Sequence, residues 1–85
     1  MAYRFRGSKR VRKQLDDLPR AVFVRGDAHI TDLATTPRAP GAKKLKGRQD
    51  TYRVRVGEYR IVYKVDDAAQ EVQLLDIGHR KDVYR

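Results

Sequence analysis

Three arginines stand at spacings that can do phosphate chemistry. In Tyr52-Arg53-Val54-Arg55-Val56 cationic and apolar residues alternate, so an extended strand turns Arg53 and Arg55 to one face and Tyr52, Val54 and Val56 to the other. Gly57-Glu58 offers a two-residue hairpin turn with glycine at its first central position, and the return strand Tyr59 to Val65 brings Arg60 across to the arginine face. Like charges held this close repel one another, and folding alone supplies no reason to gather them. A phosphodiester chain would relieve the repulsion and use the bidentate geometry of guanidinium. The plainer alternative is a set of solvated arginines that keep a sheet face soluble, a task mixed signs would serve equally.

The charge balance points the same way. Of 85 residues, 20 are Lys or Arg and 11 are Asp or Glu, a net charge of +9 that suggests a polyanionic partner. The excess is concentrated: Arg38, Lys43, Lys44, Lys46, Arg48, Arg53, Arg55 and Arg60 face only Asp50 and Glu58 between positions 38 and 60. A solubilising surface is the alternative for this cluster as well. The absence of cysteine excludes disulfides, thiolate metal sites and a cysteine nucleophile, and fits a reducing compartment. No stretch has the length of a signal peptide's apolar core or of a membrane span, so a soluble cytoplasmic protein is expected, with no membrane partner.

A chain of this length holds one core, and residues 1–85 read as a single domain. Tyr3 and Phe5 alternate with Arg4 and Arg6 in a short first strand ended by Gly7. Ser8 can cap a helix from Lys9 to Leu18, whose Val11, Leu15 and Leu18 form one stripe. Pro19 suits the first turn of a second helix carrying Val22, Gly26, His29, Ile30 and Leu33 on one face and stopping near Thr35 or Thr36. His29 reads as packing or surface. Gly26 costs about 1 kcal/mol relative to Ala unless it permits close packing. Pro37 and Pro40-Gly41 then open a basic loop through Arg48. After the hairpin, a turn at Asp66 to Gln70 leads to a strand Val72 to Ile77, which Gly78 ends, and His79 to Arg85 forms a charged tail. Tyr52 and Tyr63 share the apolar face and read as core. The order is β-α-α-β-β-β: an α+β fold with two N-terminal helices on one face of a mostly antiparallel four-stranded sheet.

Three segments together carry a resemblance. Lys44-Leu45-Lys46-Gly47, then Tyr52 to Tyr63, then Ile77-Gly78-His79-Arg80-Lys81-Asp82-Val83-Tyr84, closely resemble the RelE branch of the RelE/ParE toxin superfamily, over essentially the whole chain. The resemblance implies a RelE-like fold and a ribosome-dependent endoribonuclease, a toxin of a type II toxin–antitoxin system, that cuts messenger RNA in the A site. A ribose 2′-hydroxyl attacks the adjacent phosphate, with no metal or cofactor. Such a reaction needs cations around the pentacovalent phosphate, an acceptor for the 2′ proton and a donor for the leaving oxygen.

Carried over by position, Arg53 and Arg55 replace two family lysines, and guanidinium, effectively always protonated, makes a poor general base. Arg60 falls on the arginine at the scissile phosphate, Arg80 on the one that assists the leaving oxygen, and Tyr84 on the tyrosine that stacks on or orients the base. His79 and Tyr84 are the candidates for proton transfer. Lys43, Lys44, Lys46 and Arg48 are expected on ribosomal RNA phosphates rather than at the cleaved bond. A cognate antitoxin is implied, with operator DNA reached only through the antitoxin complex. Two other readings stay open: a ParE-like poison of DNA gyrase, which has no need of Arg60, Arg80 and Tyr84 together, and a non-catalytic nucleic-acid-binding module.

Overall fold

The computed structural model of the chain describes residues 3–38 and 41–79. The elements are β1 (Arg4–Gly7), α1 (Lys9–Asp16), α2 (Arg20–Leu33), β2 (Lys43–Lys44), β3 (Thr51–Val56), β4 (Tyr59–Asp66) and β5 (Glu71–His79). The sheet order is β1-β5-β4-β3-β2, with β1 parallel to β5 and every other pairing antiparallel. The sheet thus has five strands where the sequence suggests four. The added strand is β2, in which Lys43 pairs with Arg53 and Lys44 with Tyr52. Two residues of one type carry no alternation, so the pattern reads as loop.

Both helices pack on the apolar face of the sheet. Val11 of α1 and Ile30 and Leu33 of α2 meet Val54, Val56, Ile61, Tyr63, Val65, Val72 and Ile77 in one buried cluster. The Ser8 hydroxyl accepts a hydrogen bond from Val11 N at 3.2 Å and so caps α1. That helix stops at Asp16, two residues short of the apolar stripe, because the residue before Pro19 is driven out of helical backbone. Leu18 still packs on the core from the connection. Pro19 stands just outside α2 as its N-terminal cap residue, and α2 ends at Leu33 with Ala34 as its cap. His29 lies on the exposed side of that helix.

β1 pairs with β5 only from Glu71 to Leu74. Beyond that point side chains of α1 take over the edge. Ile77 N donates to Gln14 Oε1 at 3.0 Å, Arg10 donates to the Leu75 carbonyl at 2.9 Å, and Gln14 and Arg10 both donate to Asp76 Oδ1. These bonds satisfy backbone that would otherwise be an open sheet edge. β5 runs through Gly78 to His79, paired with Arg60 and Tyr59 of β4, instead of ending at Ile77.

Two glycines make opposite predictions. A Cβ at Gly7 would stand 2.7 Å from Val11 Cγ1, and Val11 is both buried and β-branched, so it has little room to yield. Gly7→Ala is expected to destabilise by about 1–3 kcal/mol. At Gly26 a Cβ would meet Leu18 Cδ1 and Ile61 Cδ1 at 4.0 Å, ordinary contact, so close helix packing does not require glycine there. Gly26→Ala is expected to stabilise by about 0.5–1 kcal/mol. Chemical denaturation of the two variants checks the pair, and a Gly26→Ala protein weaker than wild type would contradict it.

Candidate active site

The β3–β4 hairpin sets the geometry. Gly57 takes φ +60° at the first central position of the turn, a backbone glycine adopts without strain, and the ladder then pairs Val56 with Tyr59, Arg55 with Arg60, Val54 with Ile61 and Arg53 with Val62. Because Val54, Val56 and Ile61 are buried under the helices, Arg53, Arg55 and Arg60 occupy the opposite face. There they line one depression of about 270 Å³ together with Gly41 and Lys43. Arg53 and Arg60 are half-buried, Arg55 is exposed, and Arg60 Nε is shut off from solvent. Val62, only 4% exposed, is the apolar residue between them in the ladder. No carboxylate among the described residues lines the depression. Four cations around a half-enclosed hollow suit a polyanion, above all a phosphodiester whose developing charge they would oppose.

Lys43 is the residue that sequence reasoning placed elsewhere. Its pairing with Arg53 puts it on the arginine face, so it joins the depression rather than the basic loop. Lys44, Lys46 and Arg48 line a separate open hollow with Leu45, Gly47 and Gln49. Gly41, at φ +92°, has no heavy atom within 4 Å of where a Cβ would stand; conformation rather than space calls for glycine there.

His79 is not brought to the arginines. It pairs with Tyr59 while Gly78 pairs with Arg60, and Ile77, two residues before His79, is buried in the core. Alternation therefore puts His79 on the helix side of the sheet, edge-on to the Tyr59 ring at 5.6 Å and with Nε2 4.0 Å from Glu58 Oε2. This parity, set because the strand continues through Gly78, turns His79 away from the arginine face on which a proton-transfer role was expected of it. Arg80 and Tyr84 lie outside the described residues.

Arg38, counted with the basic cluster in the sequence, is engaged elsewhere. Its guanidinium donates to both oxygens of Asp67 at 3.1 and 2.9 Å and to Tyr52 Oη at 2.8 Å, while Tyr3 Oη donates to Asp67 Oδ1 at 2.8 Å. Tyr52 stacks on Tyr63, whose hydroxyl donates to the Pro37 carbonyl at 2.8 Å. Burial pushes the Tyr63 phenol up to about 12. The hydrogen bond to Asp67 raises Tyr3, and the hydrogen bonds from Arg38 and then Tyr3 hold the Asp67 carboxyl below its ordinary value. This network ties the segment entering β2 to the β4–β5 turn.

A depressed carboxyl stabilises the fold above its unfolded pKa of about 3.9, and that contribution is lost as pH falls through the lower folded value. Asp67→Asn is therefore expected to lower Tm at pH 7 and to lose less Tm than wild type on going to pH 2. Equal acid losses in the two proteins would argue against the clamp.

No described helix is long and apolar enough to cross a membrane. Comparison with known proteins places the chain. Residues 5–84 match the family described as ParE toxin of type II toxin-antitoxin system, parDE. The toxin RelG of Mycobacterium tuberculosis is 31% identical over 86 residues, covering 100% of this chain and 99% of that protein. A putative toxin, RelE1, of Methanocaldococcus jannaschii is 34% identical over 91% of this chain and 89% of its own length. Among solved structures, RelE in the archaeal RelE–RelB complex from Pyrococcus horikoshii aligns with a TM-score of 0.81 at 31% identity, over 96% of this chain and 99% of that one. With the two-helix, mostly antiparallel α+β architecture and these relatives spanning nearly its whole length, the chain belongs to the RelE/ParE family of type II toxin–antitoxin toxins.

Proposed function

We propose that this toxin is a ribosome-dependent endoribonuclease, with residues 1–85 acting as a single toxin domain that cuts messenger RNA in the A site. The observation that carries the reading is the shared depression of Arg53, Arg55, Arg60 and Lys43, four cations with no carboxylate among the described lining residues. Arg60, the one with its Nε enclosed, grips the scissile phosphate, and Arg53 and Arg55 hold the flanking backbone. Arg80 assists the leaving oxygen and Tyr84 stacks on the substrate base, roles assigned through the resemblance. Lys44, Lys46 and Arg48 contact ribosomal RNA phosphates. The reaction calls on no metal or cofactor. A cognate antitoxin holds the toxin silent, a reading supported by the RelE–RelB complex of the archaeal relative and by the uncovered basic face. Operator DNA is reached through that complex, and the site of action is the cytoplasm.

The matched family's ParE description favours one other reading, a poison of DNA gyrase. Primer extension on translated messenger separates the two. Wild type is expected to produce cuts within ribosome-occupied codons, and Arg60→Ala to remove them. Intact messenger together with failed supercoiling would give the gyrase reading instead, and binding without either effect would leave a nucleic-acid-binding module.

A further inference from the structure

Among the described residues of the depression, the arginines supply no proton acceptor for the proposed cleavage. Guanidinium stays protonated at any pH a folded protein meets, so Arg53, Arg55 and Arg60 can grip phosphate but cannot take a proton from a ribose hydroxyl. His79 lies on the other side of the sheet, and Tyr63 is enclosed in the core with its phenol pushed up to about 12. Among the described residues lining the depression, Lys43 alone carries a group that can exist as a neutral base. Its backbone is fixed beside the site: β2 pairs with β3 in a register that sets Lys43 against Arg53, and the Tyr63 hydroxyl anchors the chain at Pro37 upstream.

We propose that Lys43 is the catalytic base of the cleavage, an inference that rests on the nuclease reading above. The neutral Lys43 Nζ takes the 2′-hydroxyl proton as the 2′-oxygen–phosphorus bond forms and the phosphorus–5′-oxygen bond breaks. The leaving 5′-oxygen takes a proton from water, and the Lys43 ammonium returns its proton to the resulting hydroxide. The charged groups facing Lys43 across the depression are Arg53 and Arg55 of β3 and Arg60 of β4; β5 presents Gly78, without a side chain, opposite Arg60. β2 is the outer strand of the sheet, so Lys43 stands at the rim of the arginine face.

The test compares wild type, Lys43→Ala and Lys43→Arg in single-turnover cleavage on programmed ribosomes at saturating toxin, with ribosome binding and melting measured alongside. Loss of the base is expected to slow both variants by about 10²–10⁴-fold while binding and melting hold. Lys43→Arg keeps the positive charge and the reach but cannot accept the proton. Methylamine added to Lys43→Ala should restore cleavage in proportion to its unprotonated concentration, a response that a lost phosphate contact or a displaced strand would not give. Near-wild-type cleavage by Lys43→Arg would overturn the proposal, as would loss in both variants without amine rescue. Failure of the wild-type protein itself to cut would instead bring down the nuclease reading on which the proposal stands.

Discussion

Arg60→Ala should slow messenger cleavage on programmed ribosomes by about 10²–10³-fold, the usual effect of removing one preorganised donor from a developing oxyanion. The expectation follows from where the side chain sits. β4 holds Arg60 directly across from Arg55, its Nε is enclosed, and it lines one hollow with Arg53, Arg55 and Lys43. A cation held in place by the ladder needs little reorganisation as charge builds on the phosphate. Arg60→Lys should recover only part of the rate, since a point charge replaces a planar fork. Melting of both variants separates this from unfolding. A rate within about 3-fold of wild type for Arg60→Ala would remove the residue from the reaction.

The largest loss of stability is expected at Tyr63, which is 0% exposed. Among the described residues it is the largest fully buried side chain; it stacks on Tyr52 with ring centroids 5.8 Å apart and donates to the Pro37 carbonyl. Tyr63→Ala opens a cavity and should cost about 3–5 kcal/mol, a large share of the total stability of a small domain. Tyr63→Phe keeps the ring and removes only the hydrogen bond, for about 1 kcal/mol, or roughly 4–8 °C in Tm. The bond has a functional side as well. Pro37 begins the segment that delivers Gly41 and Lys43 to the depression, so Tyr63→Phe should slow cleavage more than its modest destabilisation would suggest. Denaturant titration and cleavage rates on the same preparations check both parts.

The hairpin and its arginine face were legible before any coordinates, because period-2 alternation across Tyr52 to Val56 and a glycine-led turn leave little choice of register. The helices were legible in kind and slightly long at their ends, where Pro19 overrides the apolar stripe. What escaped the sequence depended on partners distant along the chain. β2 exists only because β3 offers it an edge, and two lysines in a row show no pattern. Gly78 reads as a strand end, yet Arg60 and Tyr59 of β4 pair with Gly78 and His79 and carry the ladder on, which puts His79 on the helix side of the sheet. Arg38 reads as one more cation of the basic cluster; its carboxylate partner, Asp67, is 29 residues away. Charge composition shows where cations concentrate, but only pairing register decides which of them share a site.

A programmed ribosome carrying a message with a single 2′-deoxynucleotide on the 5′ side of the expected cut offers the most direct trial of this chemistry. The account predicts rapid cutting of the all-ribose message, with a 2′,3′-cyclic phosphate on one fragment and a 5′-hydroxyl on the other, and no cutting at the deoxy position. Equal cleavage of both messages would show that the neighbouring hydroxyl is not the nucleophile and would contradict the account.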